Sequence, residues 1–298
     1  MIRSRDNETV HLSNGNTIGL AHYGDPDGPV VFYFHGLGGS RLEGAYWAKA
    51  AESVGAHIIA LDRPGIGLSS AQPKRKLLDW PLVVSEVAQN LKIDQFYVLG
   101  TTAGGSHALV CAKKRSLPIH SKVLDSWGTR HLYKKTIIPA LNDPDPKVFH
   151  KQVMDHLLME NEKDKVLFEN TEFQDLEVSS YRESCRQGSQ GVFDDHKIGF
   201  GEWRCDIRDI SARNIGLWCG TEDYHSSIDE NRNMEKAVKH ATLVEFEGDT
   251  HHHTTLATRG SKFSAASYLA TKNLMGIFLN MTTTINIDCL TLEATEGH

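Results

Sequence analysis

Cysteine is scarce in this sequence: five residues in 298 (Cys111, Cys185, Cys205, Cys219 and Cys289), scattered and with no CxxC pair. An odd, dispersed set excludes a disulfide-dense scaffold and fits reduced thiols in a cytoplasmic compartment. Long apolar runs are missing too. The densest, Val30 to Phe34, is five residues, against the roughly 20 that a spanning helix needs. The opening MIRSRDNETV has no apolar stretch of the kind a secretory signal requires. Positive charge is in deficit: 32 Lys and Arg against 38 Asp and Glu give a net charge of −6. With no basic block either, nucleic acid and membrane are poor candidates for a partner. No repeat or low-complexity tract occurs, and a charged fraction of 23% is ordinary for a folded chain.

What the chain does have is an alternation of strand and helix patterns. Thr9 to Leu12 and Ile18 to Tyr23 read as a strand pair around Asn14-Gly15-Asn16. Val30 to Phe34, His57 to Leu61, Phe96 to Leu99 and Lys122 to Leu124 read as continuous apolar strands. Helical patterns over 41–54, 82–92 and 103–114 separate them. Such strands indicate a mostly parallel sheet with helices on both faces, an α/β fold. From about 128 to 211 the chain is more polar and mostly helical, with a stripe of Phe149, Val153, Met154, Leu157 and Leu158. Strands at 215–218 and 242–246 and helices near 229–239 and 262–279 then resume the alternation. The expected organisation is a core of 1–127 and 212–298 with an inserted helical cap at 128–211.

Ligands of open α/β sheets bind outside the carboxyl ends of the strands, so the loops that follow the strands carry the functional reading. His35-Gly36-Leu37-Gly38-Gly39-Ser40 follows the first apolar strand. Its glycines permit close backbone approach, which suits half of an oxyanion hole through the Leu37 amide as well as an ordinary glycine-rich turn. Asp62-Arg63-Pro64-Gly65 reads better as a structural turn pinned by Asp62 and Arg63. Gly100-Thr101-Thr102-Ala103-Gly104 lies between strand and helix and has the G-x-S-x-G frame of a nucleophile elbow, with Thr102 at its centre. The Ala103 amide would complete the oxyanion hole, at a helix N-terminus that favours a developing anion. Asp223 and His251 each follow a later strand, so the chain order is nucleophile, acid, histidine.

These motifs in this order resemble the α/β-hydrolase fold superfamily. They are most similar to small-molecule hydrolases that carry HGxPGSR, DRPGxGxS, GxSxGG, GxxD and GxGH in succession. The likeness extends from about residue 17 to 280. It implies Thr102 in the nucleophile position, Asp223 as acid, His251 as base, and Leu37 and Ala103 as oxyanion-hole amides. Asp125 is the runner-up acid, because some relatives place it there. Epoxide hydrolases and haloalkane dehalogenases of this fold need a carboxylate at the elbow, and position 102 has none.

Thr102 is the main departure from that pattern. A β-branched residue tolerates positive φ poorly, and its methyl crowds the hydroxyl where a tetrahedral intermediate would form. Three explanations stand: a slower working nucleophile, non-hydrolytic chemistry with His251 as acid–base, or a Ser-to-Thr substitution in this chain. The oxyanion loop lacks the family's proline, and the base motif lacks its second glycine. His251, His252 and His253 are expected on an extended loop, pointing apart, which makes a poor metal site.

The expected activity is hydrolysis of a small, fairly apolar ester, lactone or activated C–C bond, with Tyr133, Tyr181, Phe193 and Trp203 shaping the substrate pocket. A lyase, isomerase or cyclase using His251, and a silent ligand-binding protein, are the alternatives. No cofactor and no metal is implied. The expected partner is a small-molecule substrate, and a homodimer is left open.

Overall fold

A computed structural model describes residues 5–112, 133–158, 162–199, 201, 206–210, 212 and 215–256. The first half is built from β1 (Arg5–His11), β2 (Thr17–Gly24), β3 (Val30–Phe34), α1 (Ala48–Val54), β4 (His57–Leu61), α2 (Trp80–Asn90), β5 (Tyr97–Gly100) and α3 (Ala103–Cys111). The five strands pair in the order β1-β2-β4-β3-β5. β3 runs parallel to β4 and β5, while β2 is antiparallel to both β1 and β4. The sheet is therefore mixed.

The unbroken apolar strands follow from burial on both faces. Side chains alternate across a strand, and Phe32, Phe34, Ile59 and Leu61 meet Trp80, Val84 and Val87 of α2 on one side. Val31, Tyr33, Ile58 and Ala60 meet Trp47, Ala48 and Ala51 on the other. Each large side chain so buried contributes about 1.5–3 kcal/mol. The expected helix over 41–54 is two pieces: a 3-10 segment, Arg41–Trp47, precedes α1. The amphipathic pattern does not record that Arg41 and Glu43 are buried there and hydrogen-bonded inward.

A helical block follows. It comprises a π-helical turn (Tyr133–Ile137), α4 (Ile138–Leu141), α5 (Pro146–Leu158), a 3-10 segment (Glu162–Glu169), α6 (Thr171–Ser184) and α7 (Gln190–Gly199). Phe149, Val153, Met154 and Leu157 of the sequence stripe are buried in the block's own apolar cluster. Next come β6 (Ile215–Gly220), α8 (Ile228–Ala237), β7 (Ala241–Phe246) and α9 (His251–Leu256). β6 and β7 form a parallel pair. Ile215, Leu217 and Val238 belong to the same buried cluster as Phe32 and Phe34, so one core joins both strand sets. The expected strand Lys122 to Leu124, Asp125 and the expected helix 262–279 lie outside the described residues. Among the described residues, no helix is long and apolar enough to cross a membrane.

One expectation is corrected. The three consecutive histidines do not lie on an extended loop: they open α9. Thr250 caps this helix, its Oγ1 accepting the His253 amide at 3.3 Å. A threonine just ahead of a helix satisfies an amide that has no intrahelical partner.

Candidate active site

β5 ends at Gly100, and the chain turns within two residues into α3. Thr102, the residue at the turn, has φ 48° and ψ −116°. An L residue enters this region at a cost of about 1–3 kcal/mol, and neighbours must hold it there. The Thr101 amide donates to Phe34 O at 3.1 Å, and the Gly104 and Gly105 amides donate to Thr101 O and Thr102 O at 2.7 and 3.0 Å. Gly104 is obligatory, because a Cβ there would lie 2.1 Å from Phe34 O. The turn leaves Thr102 exposed between buried Thr101 and Ala103. The Leu37 amide donates to Thr102 Oγ1 at 3.1 Å. Ala103 is the first residue of α3, so its amide has no carbonyl of the helix to bond.

The second half of the site stands beyond β6 and β7. The loops after these strands are tied together: the Glu222 amide donates to Asp249 O at 3.0 Å. His251 Nδ1 donates to Asp223 Oδ2 at 2.8 Å, and Asp223 Oδ1 accepts the His225 and Ser226 amides, both at 2.9 Å. Because Asp223 is an acceptor, the Nδ1 proton is fixed and Nε2 is left as the basic atom. Burial pulls the His251 imidazole below its ordinary pKa, His252 and His225 act in the same direction, and Asp223 opposes them. Burial raises the Asp223 carboxyl, but the His251 hydrogen bond and charge, with the two amides, outweigh it and hold it below its ordinary value.

The three histidines part company. His252 meets the Phe168 ring edge-on, with centroids 5.5 Å apart. His253 Nδ1 donates to Asp164 Oδ1 at 3.1 Å, and the Thr250 hydroxyl donates to the same oxygen. Among the described residues, no group of three or more His, Cys, Asp or Glu side chains converges as a metal site would require.

Of the expected pocket residues, Tyr133 and Tyr181 lie against the glycine-rich loop after β3. A Cβ on Gly38 would sit 2.5 Å from Tyr133 Oη and 3.1 Å from a Tyr181 ring carbon. Phe193 meets Tyr133 edge-on at 5.9 Å. All three are buried in the helical block's cluster. Trp203 lies outside the described residues.

A family profile described as alpha/beta hydrolase fold matches residues 29–158. The chain has the α/β-hydrolase fold. Solved structures agree. An esterase from Exiguobacterium antarcticum superposes with a TM-score of 0.61 at 16% identity, covering 83% of this chain and 93% of that one. An enol-lactonase from Burkholderia xenovorans LB400 gives 0.58 at 16% identity, covering 84% and 95%. An epoxide hydrolase from Vigna radiata gives 0.56 at 16% identity, covering 84% and 92%. No curated protein matches in sequence.

The partners of several buried charged residues around the Thr102 turn escaped motif reading. Arg63 is fully buried and pairs bidentately with Asp195 of α7 at 2.8 and 2.6 Å. It also donates to His35 O and Gly36 O at 2.5 and 3.0 Å. Burial raises the Asp195 carboxyl, yet Arg63 holds it well below the usual carboxylate range. Arg41 likewise joins Asp62 at 2.8 Å and Glu183 of α6 at 2.7 Å. Asp62 accepts the Leu68 amide across its turn at 2.9 Å, whereas the Arg63 side chain reaches the His35–Gly36 segment and Asp195 instead. No spacing rule pairs Arg63 with Asp195; a buried arginine needing a buried acid is the one signal available.

Proposed function

We propose that the protein is a hydrolase of a small, fairly apolar ester, lactone or activated C–C bond. Thr102 Oγ1 attacks the carbonyl carbon, and its proton passes to His251 Nε2. The Leu37 and Ala103 amides hold the resulting oxyanion, and Asp223 stabilises the imidazolium. His251 then gives the proton to the leaving group, and water hydrolyses the acyl-enzyme by the same route. The helical block acts as a cap over the site, with Tyr133, Tyr181 and Phe193 on its floor. The substrate is a small molecule and needs no cofactor.

The observation that carries this reading is the Leu37 amide 3.1 Å from Thr102 Oγ1, at a residue held at φ 48°. Strain of this kind persists only where surrounding structure over-determines it, and an elbow gives it a use. An esterase and an enol-lactonase among the fold neighbours accord with the substrate class. One observation favours a second reading, in which His251 does non-covalent acid–base work and Thr102 only positions substrate: the residue at the elbow is β-branched. A fluorophosphonate probe separates the two. Labelling at Thr102 that disappears in Thr102→Ala supports the hydrolase; turnover that survives Thr102→Ala, with no labelling of wild type, rejects the covalent route.

A further inference from the structure

Behind the oxyanion loop lies a buried carboxylate that no motif names. Glu43 sits in the 3-10 segment eight residues after His35 and is 7% exposed. Its Oε2 accepts two hydrogen bonds at once. One comes from the Gly36 amide at 2.8 Å, the peptide next to the Leu37 amide that meets Thr102. The other comes from the Tyr33 hydroxyl at 3.0 Å. Tyr33, fully buried on β3, is also 2.7 Å from Thr101 Oγ1, the residue before Thr102. A single carboxylate oxygen is therefore linked to both strands of the elbow: directly to the oxyanion loop, and through Tyr33 to the nucleophile turn.

We propose that Glu43 is a positioning residue for the reaction, its carboxylate aligning the Leu37 amide with the Thr102 hydroxyl through Gly36 on one side and Tyr33–Thr101 on the other. This rests on the reading of Thr102 as the reacting hydroxyl. The glycine-rich loop fits the assignment. A Cβ at Gly39 would lie 1.5 Å from Glu43 Oε1, so glycine at 39 makes room for this carboxylate.

The electrostatics are consistent with a tether under load. Burial and the Glu177 carboxylate of α6 push the Glu43 carboxyl above its ordinary value, while the Gly36 amide, the Tyr33 hydroxyl and Arg63 pull it back. Glu177 in turn accepts from the Tyr46 hydroxyl at 2.5 Å. Of the groups that favour the ionised form, Gly36 lies in the loop itself and Tyr33 on the strand that leads into it. Holding a donor in line with a developing charge is where enzymes gain most, and small misalignments cost heavily.

The test pairs Glu43→Met, which fills the volume and accepts nothing, with Glu43→Gln, whose amide oxygen still accepts from Gly36 and Tyr33. With p-nitrophenyl acetate as probe, Glu43→Met should lose about tenfold or more in kcat at a KM within about twofold of wild type. Glu43→Gln should recover kcat to within about threefold of wild type, because the acceptor is restored. Equal kcat in the two variants overturns the proposal. If Glu43→Met does not fold, Tyr33→Phe decides: kcat should fall about threefold or more at unchanged KM, and a wild-type kcat overturns it. If wild type neither hydrolyses the ester nor reacts with the fluorophosphonate, the hydrolase reading fails on its own. Amide hydrogen exchange over residues 35–39 then tests the tether. Faster exchange in Glu43→Met than in Glu43→Gln supports it, and equal exchange overturns it.

Discussion

The turn that carries Thr102 and the turn that carries His251 draw on backbone and side chains in different proportions. The first is held mainly by backbone, with one side-chain bond from Tyr33 to Thr101. Three amides, one glycine and an off-region φ hold Thr102 in place, and all of them lie within a few residues of it or on the adjacent strand. The second is held mainly by side chains, with one backbone bond from the Glu222 amide to Asp249 O. His251 takes its tautomer from Asp223, and its helix is fastened through Thr250 and His253 to Asp164. The ties to the helical block differ in the same way. Beside the elbow, the tie is a fully buried Arg63–Asp195 ion pair. Beside the histidine, Asp164 is equally buried but bonds a neutral hydroxyl and an imidazole. Buried full charges lock a contact, since separating them leaves one unpaired in a poor dielectric. A carboxylate on a hydroxyl holds with less force. The helical block is thus tied to the Thr102 side through a buried ion pair and to the His251 side through a carboxylate that bonds a hydroxyl and an imidazole.

Four experiments break or sharpen that contrast. Asp223→Asn should cost the most, on the order of 10³-fold or more in kcat, because the imidazole loses the acceptor that fixes its tautomer. A loss under about tenfold would mean that side chains do not define the base half. Next, Asp195→Ala should lower stability by about 3–5 kcal/mol, measured by chemical denaturation, since it strands buried Arg63. Asp164→Ala should cost only about 1–3 kcal/mol, the price of unpaired polar groups. Equal losses would erase the distinction between the two ties.

Thr102→Ser should speed fluorophosphonate labelling about tenfold, since removing the methyl relieves crowding and part of the strain. Labelling slower than wild type would show that the threonine methyl is needed. The smallest effect is in pH. In the proposed reaction His251 accepts a proton only when neutral, and burial lowers its pKa from 6.5. Labelling should therefore rise with pH through a midpoint below 6.5 and be lost as pH falls beneath it. A midpoint above 6.5 would mean that Asp223 outweighs burial at this imidazole.

Much of the fold was legible in the sequence because strand burial writes itself as composition. Val30–Phe34 and His57–Leu61 are strands at the expected residues, since a strand covered on both faces leaves no polar position. The hairpin turned where Gly15 allowed it, at φ 81°. Helix details were less legible. The 3-10 start at Arg41 and the helical histidines at 251–253 depend on side-chain partners, Asp62 for the one and Thr250 with Asp164 for the other. Apolar periodicity carries no information about such partners.

The site divides along the same line. Sequence by itself determined that Thr102 stands at a strand-to-helix turn, because the conformation of that residue depends on Gly104, Phe34 and their immediate neighbours. It also determined the order in which Thr102, Asp223 and His251 arise along the chain. Only tertiary structure decided what surrounds them. Arg63 and Asp195 are 132 positions apart, and Asp164 and His253 are 89 apart. Glu43 becomes meaningful only when Gly36 and Tyr33 arrive on either side of it. The physical reason is the reach of each force. Backbone sterics act between neighbours and leave a local signature, whereas a buried charge takes its partner from whatever the folded chain brings within hydrogen-bond distance.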